Sequence, residues 1–184
     1  MWYIFIFIAV LLLDQVSKIL IAASSGAVGM SGSTSTHITW IINNFIEFTY
    51  SENSNGAMGL FENLPHSDVW FIVFTVLILG GIVAYLIFSK KRTRWLNTTI
   101  ALIIAGAVGN FIDRLTSGYV RDFIHVIIPI GKNKDFFPYI FNVADIALVV
   151  GAIMLVVYLL FLDKDAIFKS KTTKEKSKIS DNSK

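Results

Sequence analysis

A chain of 184 residues that is 54 % apolar, contains no cysteine and carries a formal net charge of +3 is not composed like a soluble domain. The missing cysteine excludes disulfides and thiolate metal sites. The lysines of the C-terminal tail have no aromatic residue interleaved for base stacking beyond Phe168, which argues against a nucleic-acid partner.

The first predicted element runs from Trp2 to about Ala22, an apolar stretch interrupted by Asp14, Gln15, Ser17 and Lys18. It lacks the basic start and small-residue cleavage site of a secretory signal, so it reads as a retained membrane helix. Asp14, Ser17 and Lys18 at i, i+3 and i+4 share one face. Asp14 with Lys18 also fits a purely structural ion pair.

Residues 24–36, "SSGAVGMSGSTST", are small and flexible, whereas "HITWIINNFIEFTY" at 37–50 is rich in β-branched and aromatic residues. The latter predicts a short sheet or an amphipathic element lying against the membrane surface. The next span, Val69 to Phe88, has no charged residue, and its twenty residues at about 1.5 Å each cross the roughly 30 Å hydrocarbon core. A third helix is expected from about Trp95 to Leu115, carrying Gly106, Asn110 and Asp113 on one face with Arg114 beside them. The adjacency of Arg114 and Asp113 suggests an ion pair or a lipid-headgroup contact, and the two asparagines of the spans, Asn110 and Asn142, serve equally as interhelical hydrogen-bond partners or ligand contacts.

The third helix is followed by "YVRDFIHVIIPI", in which Asp122 sits between Val120 and Phe123, an apolar setting that favours its protonated form. The fourth span, about Ile140 to Leu162, opens with "FNVADIALVV" and puts Asn142 and Asp145 on one face within two turns of its start. Three helices thus carry polar faces at similar depth, and ionisable groups in a membrane must find each other, a cavity or water. One polar cluster opening to the outer side is the economical inference. A protonated carboxylic acid close to an ionised one is equipment for general acid and base hydrolysis, and Asp122 with Asp145 are the natural pair. His37, His66, His125 and Asp135 show no metal-ligand spacing and no catalytic pattern.

The connection "SKKRTRW" and the tail after Leu162 are rich in lysine and arginine and, by the positive-inside rule, face the cytoplasm. The expected fold is therefore an all-α membrane protein. It is a four-transmembrane-helix bundle with both termini cytoplasmic and a small extracytoplasmic β-rich or amphipathic element between helices 1 and 2. Residues 1–163 are expected to form the membrane domain, and 164–184 a Lys-rich, disordered tail attracted to anionic lipid. A small ion-coupled transporter using the Asp/Lys cluster is the competing reading, although the second span is nearly bare of polar groups. A lipid-phosphate phosphatase would want more cations than Arg114 and Arg121.

Five stretches, "DQVSK" (14–18), "YSENSNGAMGLF" (50–61), "GNFIDR" (109–114), "VRDFI" (120–124) and "FNVADIAL" (141–148), give the chain a further meaning. In that order they resemble the lipoprotein signal peptidases, the signal peptidase II family of bacterial membrane aspartyl proteases. The resemblance implies a bacterial cytoplasmic-membrane enzyme, monomeric and without cofactor or metal, that cuts lipid-modified prolipoproteins on the extracytoplasmic side. It implies that Asp122 and Asp145 are catalytic and that Asn53, Asn110, Asp113, Arg114 and Asn142 line or support the site. It makes Asp14 and Lys18 a structural or substrate-adjacent pair. Two departures stand out: Asn55 and Met58 replace the usual glycine and aromatic residue, and "HVIIPIGKNKDFFPYI" (125–140) is long and predicts an outward loop or hairpin.

Overall fold

Three helices and a four-stranded sheet make up the described part of the computed structural model, which comprises residues 1–25, 36–54, 73, 77, 80, 81, 93–129 and 137–162. Helix α1 spans Trp2–Ser24, α2 spans Arg94–Ser117, and α3 spans Val143–Val157 and continues through a π-helical turn, Tyr158–Leu162. Each of the three is long and apolar enough to cross a membrane. The span expected at Val69 to Phe88 falls almost wholly outside the described residues, where only positions 73, 77, 80 and 81 are given, all helical. The Lys-rich tail, His66, Asp135, Asn55 and Met58 lie outside them as well.

The helix ends follow from local chemistry. Thr93 caps α2, its hydroxyl accepting the Leu96 N–H at 3.1 Å. The same helix stops at Gly118, whose φ of 81° lets its N–H return to the Arg114 carbonyl oxygen, a left-handed stop that a side chain would resist. At the start of α3, Asn142 and Asp145 form a capping box. This helix begins three residues later than the hydropathy suggested, because Ile140 and Phe141 are drawn into a strand.

Packing is inverted relative to a protein in water. On α1 the fully buried side chains are Asp14 and Lys18, while Phe5, Leu12, Leu13, Ile19 and Leu20 face outward. That arrangement is favourable only when the surroundings are apolar. Helix α2 lies between α1 and α3 and packs on both. Small residues let the backbones approach: a Cβ on Gly106 would collide with the Ala144 carbonyl oxygen, and one on Gly109 would sit 2.6 Å from Asp14 Oδ2. At the other end of α2, Leu96, Ile100 and Tyr158 form a small apolar core backed by Ile104 and Leu155.

The sheet is antiparallel throughout, with strands β1 (Thr36–Ile42), β2 (Ile46–Asn53), β3 (Val120–Val126) and β4 (Ile140–Phe141) in that spatial order. The β-branched and aromatic segment at 37–50 therefore forms a hairpin, turning through Asn44 at φ 56°. The long 125–140 stretch leaves β3 and returns as β4, with Ile124 opposite Phe141; its residues 130–136 lie outside the described set. Only Gly118 and Tyr119 separate α2 from β3, and only Asn142 separates β4 from α3. These short links fix β3 across the ends of the membrane helices.

Candidate active site

Asp122 reaches the site from β3 and Asp145 from the first turn of α3. Asp122 is 2 % exposed, whereas Asp145 is only partly buried. A register shift in β2 between Phe48 and Ser51 lies next to the Ser51–Asp122 pairing, and such bulges re-aim neighbouring side chains. Each carboxylate is held by amide donors. Asn53 Nδ2 donates to Asp122 Oδ2 at 2.9 Å and Asn142 Nδ2 to Asp122 Oδ1 at 2.6 Å. Asn110 Nδ2 donates to Asp145 Oδ1 at 2.7 Å, and the Asn142 backbone N–H donates to Asp145 Oδ2 at 3.2 Å. Asn142 Nδ2 also lies 3.1 Å from Asn110 Oδ1, so a single amide joins the surroundings of both carboxylates.

Beneath this layer sits a buried ion cluster. The Lys18 ammonium spends its three donors on Asp14 Oδ2 (2.8 Å), Asn110 Oδ1 (3.0 Å) and Asp113 Oδ2 (3.4 Å). Asp14 Oδ1 accepts the Ala144 N–H at 2.9 Å, which ties α1 to the start of α3. Asp113 also accepts from the Arg121 backbone N–H at 2.9 Å and its guanidinium. Burial of four ionised groups is expensive, and it is offset here by pairing and by hydrogen bonds to nearly every charged atom.

The sequence-level pairing of Asp113 with Arg114 is corrected by this geometry. Successive helix residues point about 100° apart, so they do not face each other. Asp113 turns to Lys18 and Arg121, while Arg114 Nη1 donates to the Asn110 carbonyl oxygen at 3.4 Å and its charge is felt by Asp145, Asp122 and, after them, Asp113. Arg121 points away from its neighbour Asp122, as alternation along a strand requires.

Sequence reasoning missed two members. Gln15 Nε2 donates to Asp14 Oδ2 and to the Gly109 carbonyl oxygen, both at 3.0 Å, and so joins α1 to α2. Its signal was available, because any polar side chain in an apolar span needs a partner. Arg121 as the partner of Asp113 carried no signal, since the contact depends on how β3 docks after Gly118. His125 pairs with Glu47 on β2 at 2.8 Å.

Burial, and after it the negative charge of Asp145, push the Asp122 carboxyl up to about 7, against the amide hydrogen bonds from Asn53 and Asn142 and the charge of Lys18. The site thus places beside Asp145 a carboxyl able to hold a proton near neutral pH, which is what acid–base hydrolysis requires. Among the described residues no group of three or more His, Asp and Glu side chains is arranged to hold a metal ion.

Comparison with known proteins places this geometry. Residues 6–161 match the family model described as signal peptidase (SPase) II. The chain is 37 % identical over 152 residues to a lipoprotein signal peptidase of Caldanaerobacter subterraneus, covering 83 % of this chain and 91 % of that one. It is 39 % identical over 158 residues to that of Staphylococcus carnosus, covering 86 % and 89 %. Among solved structures, a bacterial membrane enzyme determined by the in meso method at 2.3 Å resolution superimposes with a TM-score of 0.70 at 32 % identity, covering 86 % of this chain and 87 % of that one.

Proposed function

The chain belongs to the signal peptidase II family, a family of bacterial membrane peptidases, and we propose that it removes signal peptides from diacylglyceryl-modified prolipoproteins by water activation between Asp122 and Asp145. The observation that carries the reading is the convergence of these two carboxylates, from a strand and a helix distant in sequence, on one amide-lined site at the membrane boundary. The cut falls before the lipidated cysteine, whose acyl chains hold the scissile bond at that depth.

The roles divide by surroundings. Asp145, at the N-terminus of α3 and partly open, accepts from Asn110 and from the Asn142 N–H, donors that stabilise a carboxylate charge, and it acts as the base toward water. Asp122, buried and proton-holding near pH 7, donates to the carbonyl oxygen as Asp145 takes a proton from the attacking water; Asp145 then passes that proton to the leaving amine while Asp122 recovers its own from a hydroxyl of the tetrahedral intermediate. Charge balance supports one shared proton. Asp14, Asp113, Asp122 and Asp145 face Lys18, Arg114 and Arg121, so four acids against three bases are neutral when one acid is protonated.

The topology belongs to the same proposal: four membrane helices, both termini cytoplasmic, the sheet and the carboxylates on the extracytoplasmic side of the cytoplasmic membrane. Residues 1–163 form the peptidase domain, acting as a monomer, and 164–184 a basic tail on the inner surface. Purified protein given a synthetic lipidated precursor peptide and its unlipidated twin tests the reading. Cleavage of the lipidated form alone is expected; equal cleavage of both would refute the lipid dependence, and cleavage of neither would refute the activity.

A further inference from the structure

The β1–β2 hairpin is built for an apolar medium. No Asp, Glu, Lys or Arg occurs between Lys18 and Glu47, so β1 and the turn after it carry no charged side chain of those types. Trp40, Ile41, Ile42 and Phe45 are each between 38 % and 51 % exposed. Across the bulge at Ile41, Trp40 pairs with Glu47 and Ile42 with Ile46, and since consecutive residues of β2 point to opposite faces, Trp40 and Ile42 leave the hairpin tip apolar on both sides. A surface for one protein partner would need only one such face. Moreover, β1 is an edge of the sheet among the described residues, and edges facing water are guarded by lysine, proline or inward charges that this strand lacks.

The placement of the sheet says what covers the hairpin. Val120 follows α2 after two residues, and Ile124 pairs with Phe141, which precedes α3 by one residue. Two points of β3, four residues or roughly 13 Å apart, are thus fixed to helix ends at one membrane boundary, so the strand runs along the surface. Ile46 pairs with Val126, two residues beyond Ile124, which carries the turn laterally past the start of α3. The first outward side chains of α3, Ile146, Val149 and Val150, are exposed and apolar as well.

We infer that the 40–45 tip of the β1–β2 hairpin inserts into the adjacent lipid leaflet and anchors the sheet over the site. The inference rests on the membrane placement of the three helices and is independent of the peptidase reading. Because the chain has no cysteine, single cysteines at Ile41, Ile42 and Phe45 can each carry a nitroxide label without further changes. These positions are exposed, so the labels leave the core intact. In vesicles of phosphatidylcholine and phosphatidylglycerol, collision rates with oxygen and with a water-soluble nickel chelate are compared with those of a label at Leu13, on the outward face of α1, and of free label in buffer. The expected result is loss of chelate collisions with oxygen collisions retained at all three positions, as at Leu13. Chelate collisions matching those of free label would overturn the inference in favour of water, and exclusion of both relaxants would overturn it in favour of a covering protein surface.

Discussion

Replacing Lys18 by methionine tests whether the buried ion cluster holds the helices together. The ammonium is fully buried and contacts Asp14 at 2.8 Å, Asn110 at 3.0 Å and Asp113 at 3.4 Å. Without it Asp113 keeps Arg121, but Asp14 keeps only the Ala144 N–H and the Gln15 amide, so one buried carboxylate loses its countercharge. Breaking a buried pair in this way costs about 3–5 kcal/mol. For a chain of this size that is a fall in unfolding temperature on the order of 10 °C. The assay is loss of helical circular dichroism on heating detergent-purified protein at one scan rate, since such unfolding is kinetically controlled. Adding Asp14→Asn removes the orphaned charge and should recover more than half of the loss. A Lys18→Met protein within about 1 kcal/mol of the parent, or a double variant no better than the single, would refute the reasoning.

Other consequences concern the chemistry. Asp122→Asn and Asp145→Asn keep side-chain shape and remove the titrating group, so each should leave folded protein with no turnover of lipidated peptide; substantial cleavage by either would sink the dyad. With Asp122 at about 7, kcat/KM should fall as pH rises through that value, and a profile flat to pH 9 would exclude it as the acid. For stability the sign is the same, because a carboxyl raised above its ordinary value stabilises the fold at low pH and loses that contribution between roughly 4 and 7, visible as a parent-minus-Asp122→Asn difference in unfolding temperature. Asn142→Asp preserves the helix cap but removes the amide donor to Asp122 and adds a negative charge, so activity should drop by at least about tenfold with circular dichroism unchanged; full activity would show that the amide is dispensable.

The polar members of the site were legible because a membrane makes them conspicuous. Asp14, Lys18, Asn110, Asp113, Asn142 and Asp145 interrupt runs that hydrocarbon would otherwise keep apolar, and helical spacing put each set on one face. The hairpin was legible from its β-branched, aromatic composition, and α2 from its apolar length. What could not be read were contacts set by tertiary placement. The pairing of Arg121 with Asp113 depends on the left-handed turn at Gly118, which swings β3 back over α2. The start of α3 was misplaced by three residues because hydropathy does not distinguish a two-residue strand from the first turn of a helix. Asn53 entered only through the family resemblance, since an asparagine in an outer loop has no periodicity to mark it.

The polarity of the hydrogen bonds leaves the two helix asparagines no choice of orientation. An ammonium only donates, so the Asn110 atom 3.0 Å from Lys18 is the oxygen, and the amide nitrogen is left to face Asp145. A backbone N–H likewise only donates, so the Asn142 atom 2.9 Å from the Asp145 nitrogen is the oxygen, and its amide nitrogen faces Asp122. Each carboxylate therefore receives a donor whose direction is set by a group on a membrane helix rather than on a mobile loop, the kind of support that keeps reacting groups within the narrow geometry catalysis tolerates. The ion pair between Asp14 and Lys18 and the proposed acid–base pair are for that reason joined in one hydrogen-bonded chain. Lys18 turns Asn110, Asn110 holds Asp145, and Asp145 in turn raises the proton affinity of Asp122.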